Sequence, residues 1–103
     1  VLDACAGSGA LGLECLSRGA EKVYFIEKHS QVLQVLKTNI DTLGANKRCE
    51  VFKNDHIIMA LQSVDLVFLD PPYQKNLLKP ACSELQKKAW LNPQTLICIE
   101  TSI

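Results

Sequence analysis

Five short apolar segments alternate with segments of helical pattern, and this alternation constrains the fold more than any other feature of the chain. The strand-like segments span residues 1–5, 22–27, 48–53, 64–69 and 95–100. Strands that alternate with helices form βαβ units, whose right-handed crossovers produce a parallel sheet with helices on its faces. The sequence therefore predicts an α/β fold, with a doubly wound, mostly parallel sheet covered by helices on both faces.

Four helices are predicted between these strands, over residues 10–18, 30–43, 55–62 and 77–89. Ser30 and Asp55 precede apolar residues in the way that N-cap residues do, and Gly44 is placed to end the second helix. The second helix shows the clearest helical spacing, with apolar side chains at Val32, Leu33, Val35, Leu36, Ile40 and Leu43.

Length and composition restrict the setting in which the chain acts. Its 103 residues form one domain, 48% are hydrophobic, and the formal net charge is +0, so any nucleic-acid contact must come from a local patch. The five cysteines are odd in number and lack C-x-x-C spacing, which favours the reducing cytoplasm and argues against a disulfide frame or a metal site. No run is long enough to span a membrane. The chain starts within a strand, so we expect a piece of a longer domain.

The polar residues that follow the predicted strands are expected to form one site. In doubly wound sheets, ligands bind beyond the carboxyl ends of the strands, where the winding reverses. This rule brings together Glu27, Asp55 and the segments 3–9 and 70–73, because each follows a strand.

The loop after the first strand contains G-x-G-x-x-G at Gly7, Gly9 and Gly12. Such glycines permit a tight turn and let backbone N–H groups approach a ligand. Glu27 follows Gly7 by the distance at which dinucleotide folds bind ribose hydroxyls. Asp3 stands at the strand end, where a carboxylate suits an ammonium group. S-adenosyl-L-methionine has that ammonium group, and its ribose diol could be held by Glu27 in bidentate fashion.

The fourth strand ends in Asp70-Pro71-Pro72-Tyr73, a corner that suits methylation of a base amine. Both prolines lack an N–H group, so neither strand nor helix continues through them. Asp70 offers a carboxylate acceptor and Pro71 a carbonyl acceptor, which would aim the amine lone pair at a methyl donor. Tyr73 could stack on a base that has been flipped into the pocket.

The segments DACAGSGALGLECLSRGAEKVYFIEK and LVFLDPPYQKNLL resemble the bacterial 16S rRNA (guanine-N2)-methyltransferases, the RsmD-like branch of the class I S-adenosyl-L-methionine-dependent methyltransferases. The resemblance implies a Rossmann-like class I methyltransferase fold with strand order 3-2-1-4-5. It implies that residues 1–103 are a methyltransferase core without its upstream segment and terminal strands. The implied substrate is 16S rRNA or an assembling small ribosomal subunit, and we expect a cytoplasmic monomer that needs neither metal nor membrane.

The resemblance also implies a set of site residues. The catalytic residues are Asp70, Pro71, Pro72 and Tyr73. The cofactor-binding residues that it implies are Asp3, Ala6, Gly7, Ser8, Gly9, Glu27, Asn54 and Asp55. We also expect Lys28, which follows Glu27, and Asp70 to contact the cofactor.

Three other functions stay open from the sequence. The Asp-Pro-Pro-aromatic corner also occurs in adenine-amino DNA methyltransferases. An NAD-dependent oxidoreductase domain would use the glycine loop and Glu27, although hydride transfer has no need of the corner at Asp70. A non-catalytic binding protein with a methyltransferase fold is the third alternative.

Overall fold

The computed structural model describes residues 1–4, 6, 7, 9–54, 57, 59, 60, 62–69 and 78–99. The five strands are β1 (Leu2–Asp3), β2 (Val23–Glu27), β3 (Cys49–Lys53), β4 (Leu66–Leu69) and β5 (Leu96–Ile99). The helices are α1 (Ala10–Ser17), α2 (Ser30–Thr42) and α3 (Leu78–Lys87), with a 3₁₀ turn at Asn46–Arg48.

The strands form a single parallel sheet in the order β3-β2-β1-β4-β5. β1 lies at the centre, with Asp3 opposite Phe25 of β2 on one side and Phe68 of β4 on the other. The crossovers after β1 and β2 run toward β3, whereas the connection after β3 returns past β1 to β4. The predicted doubly wound sheet and its strand order are therefore confirmed.

The core consists of two clusters on opposite faces of this sheet. The α1–α2 cluster packs both helices on the first face of β2, with buried side chains at Leu13, Leu16, Val23, Phe25, Leu33, Leu36 and Ile40 among others. The α3 cluster lies on the second face and contains Leu2, Tyr24, Ile26, Ile57, Val64, Val67, Leu69, Leu85 and Trp90. Each fully buried large apolar side chain stabilises the fold by about 1.5–3 kcal/mol.

Helix α2 confirms the predicted end and corrects the predicted start. Gly44 has a φ of +66°, and its N–H donates to the Asp41 carbonyl while the Ala45 N–H donates to the Ile40 carbonyl. These are the bonds of a Schellman motif. Ser30, however, is the first helical residue and not the cap: the Leu33 N–H donates to the His29 carbonyl, so His29 occupies the cap position, with no side-chain cap bond.

The apolar stripe of α2 is narrower than its sequence suggests. Leu33, Leu36 and Ile40 are buried, but the side chains of Val35 and Leu43 are exposed. The helix therefore contacts the sheet along one row of side chains that lie three or four residues apart.

The predicted helix over residues 55–62 is wrong for the part that the structure describes. Ile57, Met59, Ala60 and Gln62 are not helical. The Ala60 N–H donates to the Lys88 carbonyl at 2.8 Å, and the Val64 N–H donates to the Trp90 carbonyl at 2.9 Å. These two N–H groups therefore bond to backbone carbonyls that follow α3 and not to carbonyls of a helix of their own.

Candidate cofactor site

The loop after β1 is hydrogen-bonded to both strands that flank β1. The Ala4 N–H donates to the Phe68 carbonyl of β4 and the Ala6 N–H to the Ile26 carbonyl of β2, each at 3.1 Å. The loop therefore lies at the carboxyl edge of the sheet, where the crossovers after β1 and β4 diverge. This is the edge at which ligands bind in doubly wound sheets.

The three glycines of G-x-G-x-x-G serve different purposes. A Cβ at Gly12 would lie 2.5 Å from the Phe25 ring and 2.9 Å from a Val23 methyl carbon, and a Cβ at Gly9 would meet the Leu36 side chain. These two glycines therefore permit close packing of α1 on the sheet. Gly7, in contrast, has a φ of +55°, and a Cβ built on it would have no heavy atom within 4 Å. It is the one glycine of the three that has both a left-handed backbone and open space where a side chain would lie.

Glu27 ends β2 beside this loop and is a buried residue, whose carboxylate makes part-buried hydrogen bonds. Its Oε1 accepts a hydrogen bond from the Gly7 N–H at 3.0 Å, and its Oε2 accepts bonds from the N–H groups of Lys28 at 2.9 Å and His29 at 3.0 Å. Burial acts to raise the pKa of Glu27, but the N–H groups of His29, Gly7 and Lys28 outweigh it, so the pKa falls below its usual value. The carboxylate is therefore held ionised, as an acceptor of hydrogen bonds.

The backbone donors around Glu27 were not found by sequence reasoning. Lys28 was predicted as a cofactor-binding residue, and its side chain is exposed, whereas His29 was not predicted as a site residue. Their backbone N–H groups nevertheless supply two of the three bonds to the carboxylate. The sequence signal for this role was weak, because the turn between β2 and α2 carries no glycine or proline.

The remaining described site residues lie at the same edge. Asp3 is buried at the end of β1, and with Glu27 it is one of two buried charged residues in the described ranges. Asn54 directly follows β3, and its N–H donates to the Glu27 carbonyl at 3.0 Å. The predicted neighbourhood of Asp3, Gly7, Glu27 and Asn54 is thus brought together by three adjacent strands.

Several predicted residues lie outside the described residues. They are Ser8 and Asp55 of the cofactor set and Asp70, Pro71, Pro72 and Tyr73 of the corner. Strand β4 ends at Leu69, so the corner follows it directly in sequence.

Two features are absent from the described residues. None of the helices in these ranges is long and apolar enough to cross a membrane. No group of three or more His, Cys, Asp or Glu side chains in the same ranges could hold a metal ion.

The sheet order, with a glycine loop after β1 and a carboxylate at the end of β2, defines a Rossmann-like fold. Its similarity to solved structures that are named putative methyltransferase and putative methylase makes it the class I methyltransferase fold. Solved structures agree with this class. The Escherichia coli protein yhhF matches 99% of this chain and 57% of its own at 35% identity, with a TM-score of 0.85. HI0767 of Haemophilus influenzae matches 97% of this chain and 60% of its own at 42% identity, with a TM-score of 0.86. The glycopeptide N-methyltransferase MtfA, 18% identical, shares the fold with a TM-score of 0.75.

The chain belongs to the family described as Conserved hypothetical protein 95, whose family model matches residues 1–103. It is 42% identical over 106 residues to ribosomal RNA small subunit methyltransferase D of Haemophilus influenzae, and this match covers 97% of the chain and 55% of the relative. The protein of the same name in Escherichia coli K12 is 38% identical, with 99% and 52% covered. The predicted resemblance is confirmed, and the chain spans about half the length of these curated relatives.

Proposed function

We propose that this chain forms the S-adenosyl-L-methionine-binding core of an enzyme that methylates the exocyclic amine of a guanine in 16S rRNA. One observation carries the proposal: the Glu27 carboxylate is held ionised next to Gly7, at the edge where ligands bind. An ionised carboxylate accepts hydrogen bonds and donates none, so it suits ribose hydroxyls and repels a ribose phosphate. The names of the two relatives supply the polymer, which is small-subunit rRNA.

Each predicted cofactor-binding residue would have a role in binding this cofactor. Asp3 would accept hydrogen bonds from the ammonium group, and Glu27 would accept them from the ribose. The backbone at Ala6, Gly7, Ser8 and Gly9 would border the methionine part. Asn54, Asp55 and the stem of Lys28 would border the adenine.

The corner at Asp70 would supply the catalytic groups. When bound, the cofactor provides an electrophilic methyl group on a sulfonium. The Asp70 carboxylate and the Pro71 carbonyl would accept hydrogen bonds from the guanine amine and direct its lone pair at that methyl group. Pro72 would keep the corner rigid, and Tyr73 would stack on the base. Catalysis would come mainly from positioning and electrostatics, and the methylated amine would then lose its proton.

The cellular setting follows from the same proposal. An enzyme that acts on 16S rRNA or an assembling small subunit works in the cytoplasm, where thiols stay reduced. Cys15, Cys49, Cys82 and Cys98 are free, in agreement with that setting. We propose that the enzyme acts as a monomer.

Isothermal titration calorimetry tests the cofactor. We expect S-adenosyl-L-methionine to bind, and NAD to give no measurable heat of binding. Binding of NAD without binding of S-adenosyl-L-methionine would contradict the proposal and favour the oxidoreductase alternative.

A second experiment tests the corner in the full-length enzyme. We expect Asp70→Ala to lower methyl transfer to 16S rRNA by about 100-fold or more while the cofactor still binds, because the variant loses an acceptor aimed at the amine. Asp65→Ala is the matched control, since Asp65 is an exposed acid that precedes the same strand β4. Undiminished transfer by Asp70→Ala would refute the catalytic role. Equal transfer to adenine in DNA would favour the DNA methyltransferase alternative.

A further inference from the structure

We propose that Glu27 has a second role, as a latch that shapes the glycine loop before any cofactor binds. The latch is the hydrogen bond from the Gly7 N–H to Glu27 Oε1, at 3.0 Å, between residues that lie 20 positions apart in the chain. It joins the loop after β1 to the end of β2.

Side-chain packing does not hold Gly7 in place, so its backbone conformation depends on hydrogen bonds, and this bond is the one that its own N–H makes. Gly7 has a left-handed φ of +55° and open space on the side where a Cβ would lie. Gly9, two residues later, is enclosed by the side chains of Leu36, Leu13 and Phe25. A bond from an N–H to a buried carboxylate is roughly twice as strong as a bond between neutral groups. The Glu27 carboxylate is therefore the side-chain anchor of the turn at Gly7. It acts beside two backbone bonds, from the Ala6 N–H to the Ile26 carbonyl at 3.1 Å and from the Gly9 N–H to the Ala6 carbonyl at 2.9 Å.

The other bonds to Glu27 leave room for both roles. A carboxylate offers about four acceptor positions, and Gly7, Lys28 and His29 fill three of them. The position left on Oε1 is enough for one ribose hydroxyl while the latch stays closed, which departs from the bidentate hold on both hydroxyls that the sequence suggested. Binding then uses a loop that is already formed, which lowers the entropic cost of binding. This consequence for binding rests on the proposed function, whereas the latch itself does not.

The substitution Glu27→Gln is expected to break the latch selectively. The amide has one acceptor oxygen and one NH₂ donor. The oxygen should face the two N–H groups of Lys28 and His29, because that orientation satisfies two donors. The NH₂ group then faces the Gly7 N–H, and the bond to Gly7 is lost. Glu14→Gln is the matched control: Glu14 is exposed and belongs to α1, the helix that follows the loop, and it pairs with Arg18.

Amide hydrogen exchange of the cofactor-free protein tests the latch. We expect the Gly7 amide to be protected in the wild type and in Glu14→Gln, and to exchange about tenfold faster or more in Glu27→Gln. Exchange of the wild-type Gly7 amide at the rate of an unstructured chain would overturn the proposal, as would equal rates in wild type and Glu27→Gln. If Glu27→Gln does not fold, the wild-type rate alone decides.

Binding of a ribose-modified analogue separates the two roles of Glu27. The probe is the 2′,3′-dideoxy form of S-adenosyl-L-homocysteine, which has no hydroxyl for Glu27 to hold. We expect Glu27→Gln to weaken its binding by about three- to tenfold, because the loop is no longer preformed. Unchanged affinity would overturn the role of the latch in binding. If S-adenosyl-L-homocysteine itself fails to bind the wild type, the proposed function fails, and the exchange rates still decide the latch.

Discussion

At the scale of single residues, Glu27 shows how a buried charge can stabilise a fold. Its backbone donors lower the pKa of the carboxylate in spite of burial. A carboxyl group whose pKa is lower in the folded than in the unfolded chain stabilises the fold above the unfolded pKa, about 4.3 for Glu. That stabilisation is lost as the pH falls through the folded pKa.

The resulting prediction concerns the pH dependence of stability. The difference in unfolding free energy between wild type and Glu27→Gln should be largest near neutral pH and should shrink as the pH falls below about 4. Urea denaturation at pH 7 and at steps from pH 5 to 3 measures this difference. A difference that grows on acidification would contradict the assignment of backbone donors to the ionised carboxylate.

Gly12 is a residue whose constraint comes from packing. A Cβ there would lie 2.5 Å from the Phe25 ring, in a helix that lies against the sheet. We expect Gly12→Ala to lower the unfolding free energy by about 1–3 kcal/mol, because the overpacking exceeds the gain in helix propensity. Phe25→Leu in the same chain should relieve part of the clash, so the double variant should be more stable than the sum of the two single effects. Strict additivity in urea denaturation would show that the clash does not form.

At the scale of elements, the sequence predicted the strands and helices that depend on local residue patterns. It failed where hydrogen bonds to distant backbone groups determine the local conformation. The strand segments, the doubly wound sheet and the end of α2 at Gly44 follow from apolar runs, crossover handedness and glycine, whereas the strand order was implied by the family resemblance. The helix expected over 55–62 failed because the Ala60 and Val64 N–H groups bond to the end of α3. Ser30 failed as a cap because it is the first residue of the helix, and the cap position falls on His29.

The candidate site divides in the same way. Asp3, Gly7 and Glu27 could be predicted, because a carboxylate at a strand end and a glycine turn are visible as residue types. The bonds that hold Glu27 come from the backbone of Gly7, Lys28 and His29. Every residue except proline carries such an N–H, so no residue type marks them, and only the fold brings them to the carboxylate.

The end of α3 offers a test of helix termination. Ala89 has a φ of +67°, and the Trp90 N–H donates to the Leu85 carbonyl, as the Ala45 N–H does to Ile40 after Gly44. A left-handed conformation costs a residue with a Cβ about 1–2 kcal/mol. We therefore expect Ala89→Gly to raise the unfolding free energy by about 0.5–1 kcal/mol and Gly44→Ala to lower it by about 1 kcal/mol. Thermal and urea unfolding measure both, and destabilisation by Ala89→Gly would contradict the shared geometry.

At the scale of the whole molecule, two core clusters lie on opposite faces of one sheet, and the sheet joins them. Ile26 of β2 points into the α3 cluster, and Ile40 of α2 lies in the α1–α2 cluster. Because β2 contributes side chains to both clusters, loss of either should unfold the entire sheet. We therefore expect cooperative, two-state unfolding.

A pair of matched substitutions tests this organisation. Ile26→Val and Ile40→Val each delete one buried methyl group and should each lower the unfolding free energy by about 0.5–1.5 kcal/mol. The double variant should show the sum within about 0.5 kcal/mol, because the two sites share no side-chain partner across the sheet. In all three variants the unfolding free energy should fall with urea concentration as steeply as in the wild type, since the surface exposed on unfolding stays the same. Two separate transitions, or a lower urea dependence in one single variant, would show that the clusters unfold independently and that the sheet does not join them into one unit.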